Sequence, residues 1–560
     1  MSLHRRWRRL RAAATGAVLT GLLAAGCGDS NGGGGSSDAL VVFTGQSGAY
    51  QANFNPYSPT KIEGPGSIFE PLFFYNVAAA TDPVPRLGTE FSFNEDGTVL
   101  SIMLREGVKW SDGEDFSADD VAFTFDMLKE NQAINTIGFD AVTEVVDAAH
   151  LTVTFDEPAF MDAPQLLGKT WIVPEHIWSG IDDPSTDTMR DPVGTGPYLL
   201  DDFKPQAFTL ASNPTYWDGE PAVRSVRYLA LSGNQGGVDA LAAGQIDWMT
   251  GPVPDIANIE EAYPGYGAIT VPLNQMVLGA CASIELGCEG PQTDPGVRRA
   301  IYYAINRTQL NELAFQNTAS DVSPGFALPE RDASVLSERL EDRISPMEPD
   351  LDRVAALLEG AGWERGGDGF YAKDGERLSL AVGVVGGWTD YITALQTLTQ
   401  QLEDAGIELT VAQASWNEIT EARGRGDFQL QIDSLTPGPS PDPFYLYQNF
   451  FHGENTAPVG ETANPNWARY DNPEVNAAID ELARLDPADA EARQPQFDTI
   501  QTRIEQDMPY IPILTGGTTS EFNTAKFDGW PTEEDLYAVP AVWSSPDQSQ
   551  VFMNLTPARR

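Results

Sequence analysis

The chain is 560 residues long, and at roughly 150 residues per domain it holds about three or four structural units. Its 34 lysines and arginines face 81 aspartates and glutamates, a net charge of −47. A surface of that sign repels phosphate backbones and anionic headgroups, which excludes nucleic-acid binding and membrane binding through basic patches. Disorder does not follow: hydrophobic residues supply 41% of the chain and aromatics 10%, enough for large cores, and the acids are dispersed rather than blocked.

Residues 1–27 read as a processing segment. Arg5, Arg6, Arg8, Arg9 and Arg11 form a positive stretch, and Ala12 to Ala25 an apolar run shorter than the about 20 residues a bilayer span needs. Leu23-Ala24-Ala25-Gly26-Cys27 resembles a bacterial lipobox, which implies lipidation of Cys27 and an anchor on the extracytoplasmic face of the cell membrane. An ordinary secretory signal is the alternative, and Arg5-Arg6 leaves a twin-arginine route open beside the general one. Residues 28–38, rich in glycine and serine, read as a flexible tether.

Beyond the tether, Leu40-Val41-Val42-Phe43 reads as a buried strand and 98–105 alternates like a half-buried one. Ser117 can cap a helix that places Val121, Phe125 and Leu128 on one face, with Asp119 and Asp120 at its positive end. Further helices are expected at 294–313, 350–361, 390–405, 472–484 and 489–507. Strands are expected at 151–155, 226–231, 378–385, 407–412, 428–433 and 510–514. Helices interleaved with short apolar strands predict an α/β chain. Cys281 and Cys288 are expected to pair, since an exported chain oxidises its even residual cysteines. Metal binding is the rival, with only His150, His176 and His452 left after the processing segment.

Sequence signatures of catalysis are missing: there is no phosphate loop, no Gly-x-Ser-x-Gly elbow and no His-Glu-x-x-His helix. With 81 acids, close carboxylate pairs arise by chance and nominate no glycosidase site. No catalytic residue, metal or cofactor is expected; a secreted hydrolase is the alternative from another class.

The segment Phe91 to Asp126, FSFNEDGTVLSIMLREGVKWSDGEDFSADDVAFTFD, resembles the signature of the family 5 extracellular solute-binding proteins of ABC importers. Other segments match in family order: Pro192-Val193-Gly194-Thr195-Gly196-Pro197-Tyr198, Asn213-Pro214-Thr215-Tyr216-Trp217, Ala243-Gly244-Gln245-Ile246-Asp247, Val297-Arg298-Arg299-Ala300 with Ala304-Ile305-Asn306-Arg307, and Met508-Pro509-Tyr510-Ile511-Pro512. The resemblance implies a two-lobed periplasmic-binding-protein-like α/β fold with an extra N-terminal subdomain, closing by a hinge over its ligand. It implies lobe I from 39–70, 190–295 and 508–560, an intervening subdomain at 71–189 and lobe II at 296–507. It also implies a monomer that hands its ligand to ABC permease subunits. From the residues alone, Gly194-Thr195-Gly196-Pro197 is either a rigid crossing where backbone closely approaches something or a turn, and the resemblance favours the crossing.

The resemblance implies an oligopeptide ligand first and a short oligosaccharide as the alternative. Trp416 looks like the tryptophan lining the cleft of peptide-binding members, and Trp388 follows a strand at a glycine break, where α/β sheets expose residues to a cleft. Asn55, Thr195, Ser434 and Thr436 complete the expected ligand contacts. Peptide-binding relatives often place an aspartate after the strand resembling 428–433 to pair with the ligand's α-amino group. Here Asp433 precedes that position and Asp442 follows it. The departure weakens the peptide reading, and Trp388 and Trp416 could instead serve as sugar platforms.

Overall fold

The computed structural model describes residues 39–559, apart from 45–47, 59–60 and 63. The processing segment, Cys27 and the tether lie outside the described residues.

After β1 (Leu40–Phe43) the chain builds a separate four-stranded antiparallel sheet from β2 (Gly88–Phe93), β3 (Val99–Leu104), β4 (Val142–Asp147) and β5 (His150–Thr154), in the order β2-β3-β5-β4. Helix α1 (Ala118–Glu130) packs on it. The alternation of β3 is realised as expected: Leu100, Ile102 and Leu104 are buried, while Ser101 and Met103 face out. Ser117 caps α1 by accepting from the Asp119 amide, and Asp120 returns the favour to the Ser117 amide at 3.0 Å. Such a reciprocal cap satisfies two otherwise orphaned donors.

The rest of the described chain adds β6 (Tyr198–Lys204), β7 (Ala207–Ser212), β8 (Ser225–Leu229), β9 (Trp248–Thr250) and the long β10 (Tyr266–Ala280). Next come α2 (Pro295–Ala304), α3 (Arg307–Ala314) and α4 (Leu351–Gly360). Strand β11 (Ser379–Val385), helix α5 (Thr389–Asp404), strand β12 (Glu408–Ala414), helix α6 (Trp416–Arg425) and strand β13 (Leu430–Leu435) alternate. Helices α7 (Phe444–Phe451), α8 (Pro473–Arg484) and α9 (Ala490–Asp507) precede the long β14 (Tyr510–Asn523). A ten-stranded sheet collects these strands in the order β12-β11-β13-β10-β14-β9-β1-β8-β7-β6.

Strands β10 and β14 join the two lobes. They pair antiparallel from Tyr266–Asn523 to Gly279–Tyr510. One end of this ribbon borders β9, and the other borders β13. The pairing slips between Pro272 and Asn274, opposite Gly516 and Gly517. A side chain at Gly517 would stand 2.2 Å from Thr270 and 2.5 Å from the Thr318 carbonyl, so only glycine fits there. A bulge beside two glycines weakens pairing and bends the strand, as a hinge requires.

The signature segments prove to be clamps. Gly194 and Gly196 cross the Ser67–Ile68 backbone so closely that added side chains would lie 2.0 and 2.5 Å from its carbonyl oxygens. The crossing predicted from the sequence is thus a real close approach. Tyr216 and Trp217 donate to the two oxygens of buried Glu70 at 2.8 and 3.0 Å, and Arg86 pairs with the same carboxylate at 3.0 Å. The predicted helix 294–313 is two helices: Ile305 takes an extended conformation, and Asn306 caps α3 by accepting from the Gln309 amide. The break lets fully buried Arg307 donate to the carbonyls of Ile513 and Pro512 at 2.9 and 2.7 Å. Strand β14 also outruns its predicted end, because the Gly516-Gly517 pair interrupts the apolar pattern but not the ladder. Cys281 and Cys288 form a disulfide with their Cα atoms 5.5 Å apart.

Candidate functional site

Three strands of the second lobe end side by side. Strands β11 and β12 run parallel with Val385 opposite Ala414, and β13 is parallel to β11 on its other side. Ligands of α/β sheets gather outside such carboxyl ends. After β11, Gly387 turns the chain at φ +98°, a conformation that favours glycine, and presents Trp388 at the start of α5. After β12, Ser415 and Glu418 form a capping box, which fixes Trp416 as the first residue of α6.

This topology brings the two expected tryptophans together. Their ring centroids are 5.5 Å apart, and Tyr391 stands 5.4 Å from Trp388 on the other side. Trp416 is 50% exposed, a large apolar surface left to solvent by a chain that buries most of its aromatics. Tyr391 shares a hydrogen bond of 2.5 Å with Ser434 at the end of β13. Burial pushes the Tyr391 phenol above its ordinary range, so it stays a neutral hydrogen-bonding group.

Beside this ladder lies a cavity of about 260 Å³. Phe315, Asp390, Tyr391 and Ser434 line it from the second lobe, Asn274 and Gly516 to Thr519 from the hinge strands, and Thr250 and Trp543 from the first lobe. Trp543, which is 43% exposed, had no signal in the sequence; it was reachable only by knowing that the C-terminal segment returns to the hinge.

Of the other expected contacts, Ser434 lines this cavity and Thr436 is exposed on the loop that follows β13. Asn55 is placed elsewhere: it is fully buried and donates to the carbonyls of Pro184 and Asp187, both at 2.8 Å. Thr195 is buried within the glycine crossing, 1% exposed, because its neighbours must pass against Ile68.

The acids around the site are mostly engaged. Asp433 pairs with Arg423 and accepts from the Ser434 amide at 2.8 Å; burial raises its carboxyl, and Arg423 opposes the rise. Asp442 pairs with Arg493 at 2.8 Å. Neither lines the cavity; Asp390 does, and it is exposed. Among the described residues no group of three or more histidines, cysteines or acids is placed to hold a metal ion. The cavity therefore offers flat aromatic faces, hydroxyls and an amide, with one carboxylate at its edge.

The profile of the bacterial extracellular solute-binding proteins, family 5, matches residues 82–458. Protein XP55 of Streptomyces lividans is 29% identical over 431 residues, covering 74% of this chain and 73% of its own. The nickel-binding periplasmic protein of Escherichia coli is 23% identical over 484 residues, covering 83% and 88%. Among solved structures, the periplasmic oligopeptide-binding protein of an oligopeptide ABC transporter from Thermotoga maritima superposes with a TM-score of 0.84 at 24% identity, covering 94% of this chain and 100% of its own. Its mannohexaose-bound form gives 0.79 at 24% identity, covering 94% and 99%. These likenesses establish the two-lobed fold.

Proposed function

Since the chain belongs to the family 5 bacterial extracellular solute-binding proteins, the substrate receptors of ABC importers, we propose that it captures a short oligosaccharide between its lobes and releases it to a membrane permease. The observation that carries this reading is the Trp388–Trp416 pair, 5.5 Å apart with Trp416 half exposed, beside neutral hydrogen-bonding groups. Sugar rings present C–H faces to aromatic platforms and hydroxyls to neutral donors and acceptors. The acids flanking the loop after β13 are tied to Arg423 and Arg493, which leaves them unavailable to a peptide ammonium. The mannohexaose held by the Thermotoga protein is consistent with this choice. Calorimetric titration with mannohexaose and with a neutral hexapeptide tests it: the sugar binds and the peptide does not.

An oligopeptide is the second reading, favoured by Asp390, whose exposed carboxylate on the cavity wall can meet an α-amino group. Under that reading the hexapeptide binds and Asp390→Asn abolishes it. In either case the proposed receptor is a monomer, held at the extracytoplasmic face by a lipid on Cys27. Replacing Cys27 by alanine releases it from membranes; a Cys27→Ala form that is cleaved yet stays bound would overturn the anchor.

A further inference from the structure

A second cavity, of about 480 Å³, opens between the intervening subdomain and the loop after β13. Tyr57, Lys61, Lys169, Thr170 and Trp171 form one wall and Pro437 to Pro439 the other. Its charge is opposite to that of the molecule. The chain has 81 acids, yet no described acid lines this cavity, while two of only seven lysines do. Four other lysines are paired with aspartates, and Lys373 donates to the Ala361 carbonyl. Among the described residues, Lys61 and Lys169 alone of the lysines have neither an ion pair nor a side-chain hydrogen bond. Asp547 feels the charge of Lys169, but it is buried, accepts from Ser544 and the Val539 amide, and does not reach the cavity wall.

A second observation points the same way. Thr170 is 2% exposed, and its hydroxyl has no partner among the described residues, although buried hydroxyls are almost always satisfied. Two unpaired ammonium groups and an orphaned hydroxyl form the donor set that a carboxylate accepts, and low-dielectric walls strengthen such bonds. Pro437 follows Ser434 by three residues, at most about 10 Å of extended chain, so the walls of the two cavities come within the length of a short oligosaccharide of each other.

We infer that this cavity is a carboxylate-binding subsite and, resting on the saccharide reading above, that the ligand is a uronate-bearing oligosaccharide rather than a wholly neutral one. The test titrates the purified protein, its Lys61→Met/Lys169→Met form and its Lys61→Arg/Lys169→Arg form with mannohexaose, an oligouronide of equal length, and free glucuronate. The oligouronide should bind at least tenfold more tightly than mannohexaose; the methionine pair should lose that advantage while keeping mannohexaose affinity, and the arginine pair should retain it. Equal affinity for the two hexamers, or an advantage that survives in the methionine pair, overturns the inference. If neither hexamer binds, the saccharide reading falls. The subsite then stands on glucuronate bound by the wild type and not by the methionine pair, and falls if the two behave alike.

Discussion

Trp416 is half exposed at the start of a helix and contributes little to the core, so its surface is available to a ligand. Trp416→Ala is expected to weaken binding about tenfold, roughly 1.4 kcal/mol, with an unchanged melting temperature. Unchanged affinity in a calorimetric titration would remove it from the site. In the sequence, Trp388 was legible as a residue at a glycine break after an apolar strand, and Trp416 only through the resemblance of its position to the cleft tryptophan of peptide-binding members. Their contact was not, because the parallel pairing of β11 and β12 is a long-range fact. Asn55 and Thr195 show the reverse: a polar residue expected at the ligand can be spent on backbone carbonyls or buried in a crossing. Glu521 carried no signal either. It is fully buried on β14, neither oxygen has a partner among the described residues, and burial pushes its carboxyl up to about 9. The folded state therefore holds it protonated, whereas the unfolded chain ionises it near the ordinary 4.5. Stability conferred by the neutral acid is complete below about pH 4.5 and is lost as pH rises towards 9. Glu521→Gln should flatten that dependence by up to about 1.4 kcal/mol per pH unit, read from denaturant unfolding at pH 6 and 8.5. Parallel curves for the two proteins would contradict the assignment.

At the scale of elements, the buried arginines fasten helices to the hinge strand. Arg307 spends its guanidinium on the carbonyls of Pro512, Ile513 and Pro346, and its positive charge lies over the Tyr302 ring at 4.7 Å. Hydrogen bonds to charged groups contribute about 1.5–3 kcal/mol each, so Arg307→Met should destabilise the protein by at least about 3 kcal/mol. A smaller loss in denaturant unfolding would show that water replaces those bonds. The same arginine explains why the 294–313 pattern was read as one helix: its apolar period continues, and the break depends on carbonyls some two hundred residues away. Helix α6 is announced by Ser415-x-x-Glu418, a capping-box sequence, although its mean apolar content is too low to mark a helix by periodicity. Strand β10 was missed because Pro272 and the bulges around it spoil the alternation that marks a strand.

At the scale of the whole molecule, hydrogen bonds tie the second lobe to the intervening subdomain. Tyr445 of α7 donates to the Met161 carbonyl at 2.8 Å, and Arg331 donates to the Val77 carbonyl at 2.8 Å. These bonds hold the second lobe against the intervening subdomain and would break if the hinge at Pro272 and Gly517 opened. Tyr445→Phe should therefore shift the ligand-free protein towards an open form, with a larger radius of gyration in solution scattering. The two-lobed fold and the receptor family were legible from signature segments spread along the chain. Ligand chemistry was less so, because it depends on which acids are paired. The charge of −47 constrains partners but is locally reversed in the cavity that Lys61 and Lys169 line. The central claim is that the two lobes close on a saccharide over Trp388 and Trp416. Solution scattering of the Tyr445→Phe protein, opened beforehand, with and without saturating mannohexaose tests it most directly. The account predicts a fall in radius of gyration on adding the sugar that is absent in the Trp388→Ala/Trp416→Ala form of the same protein. No fall, or an equal fall in both, would contradict it.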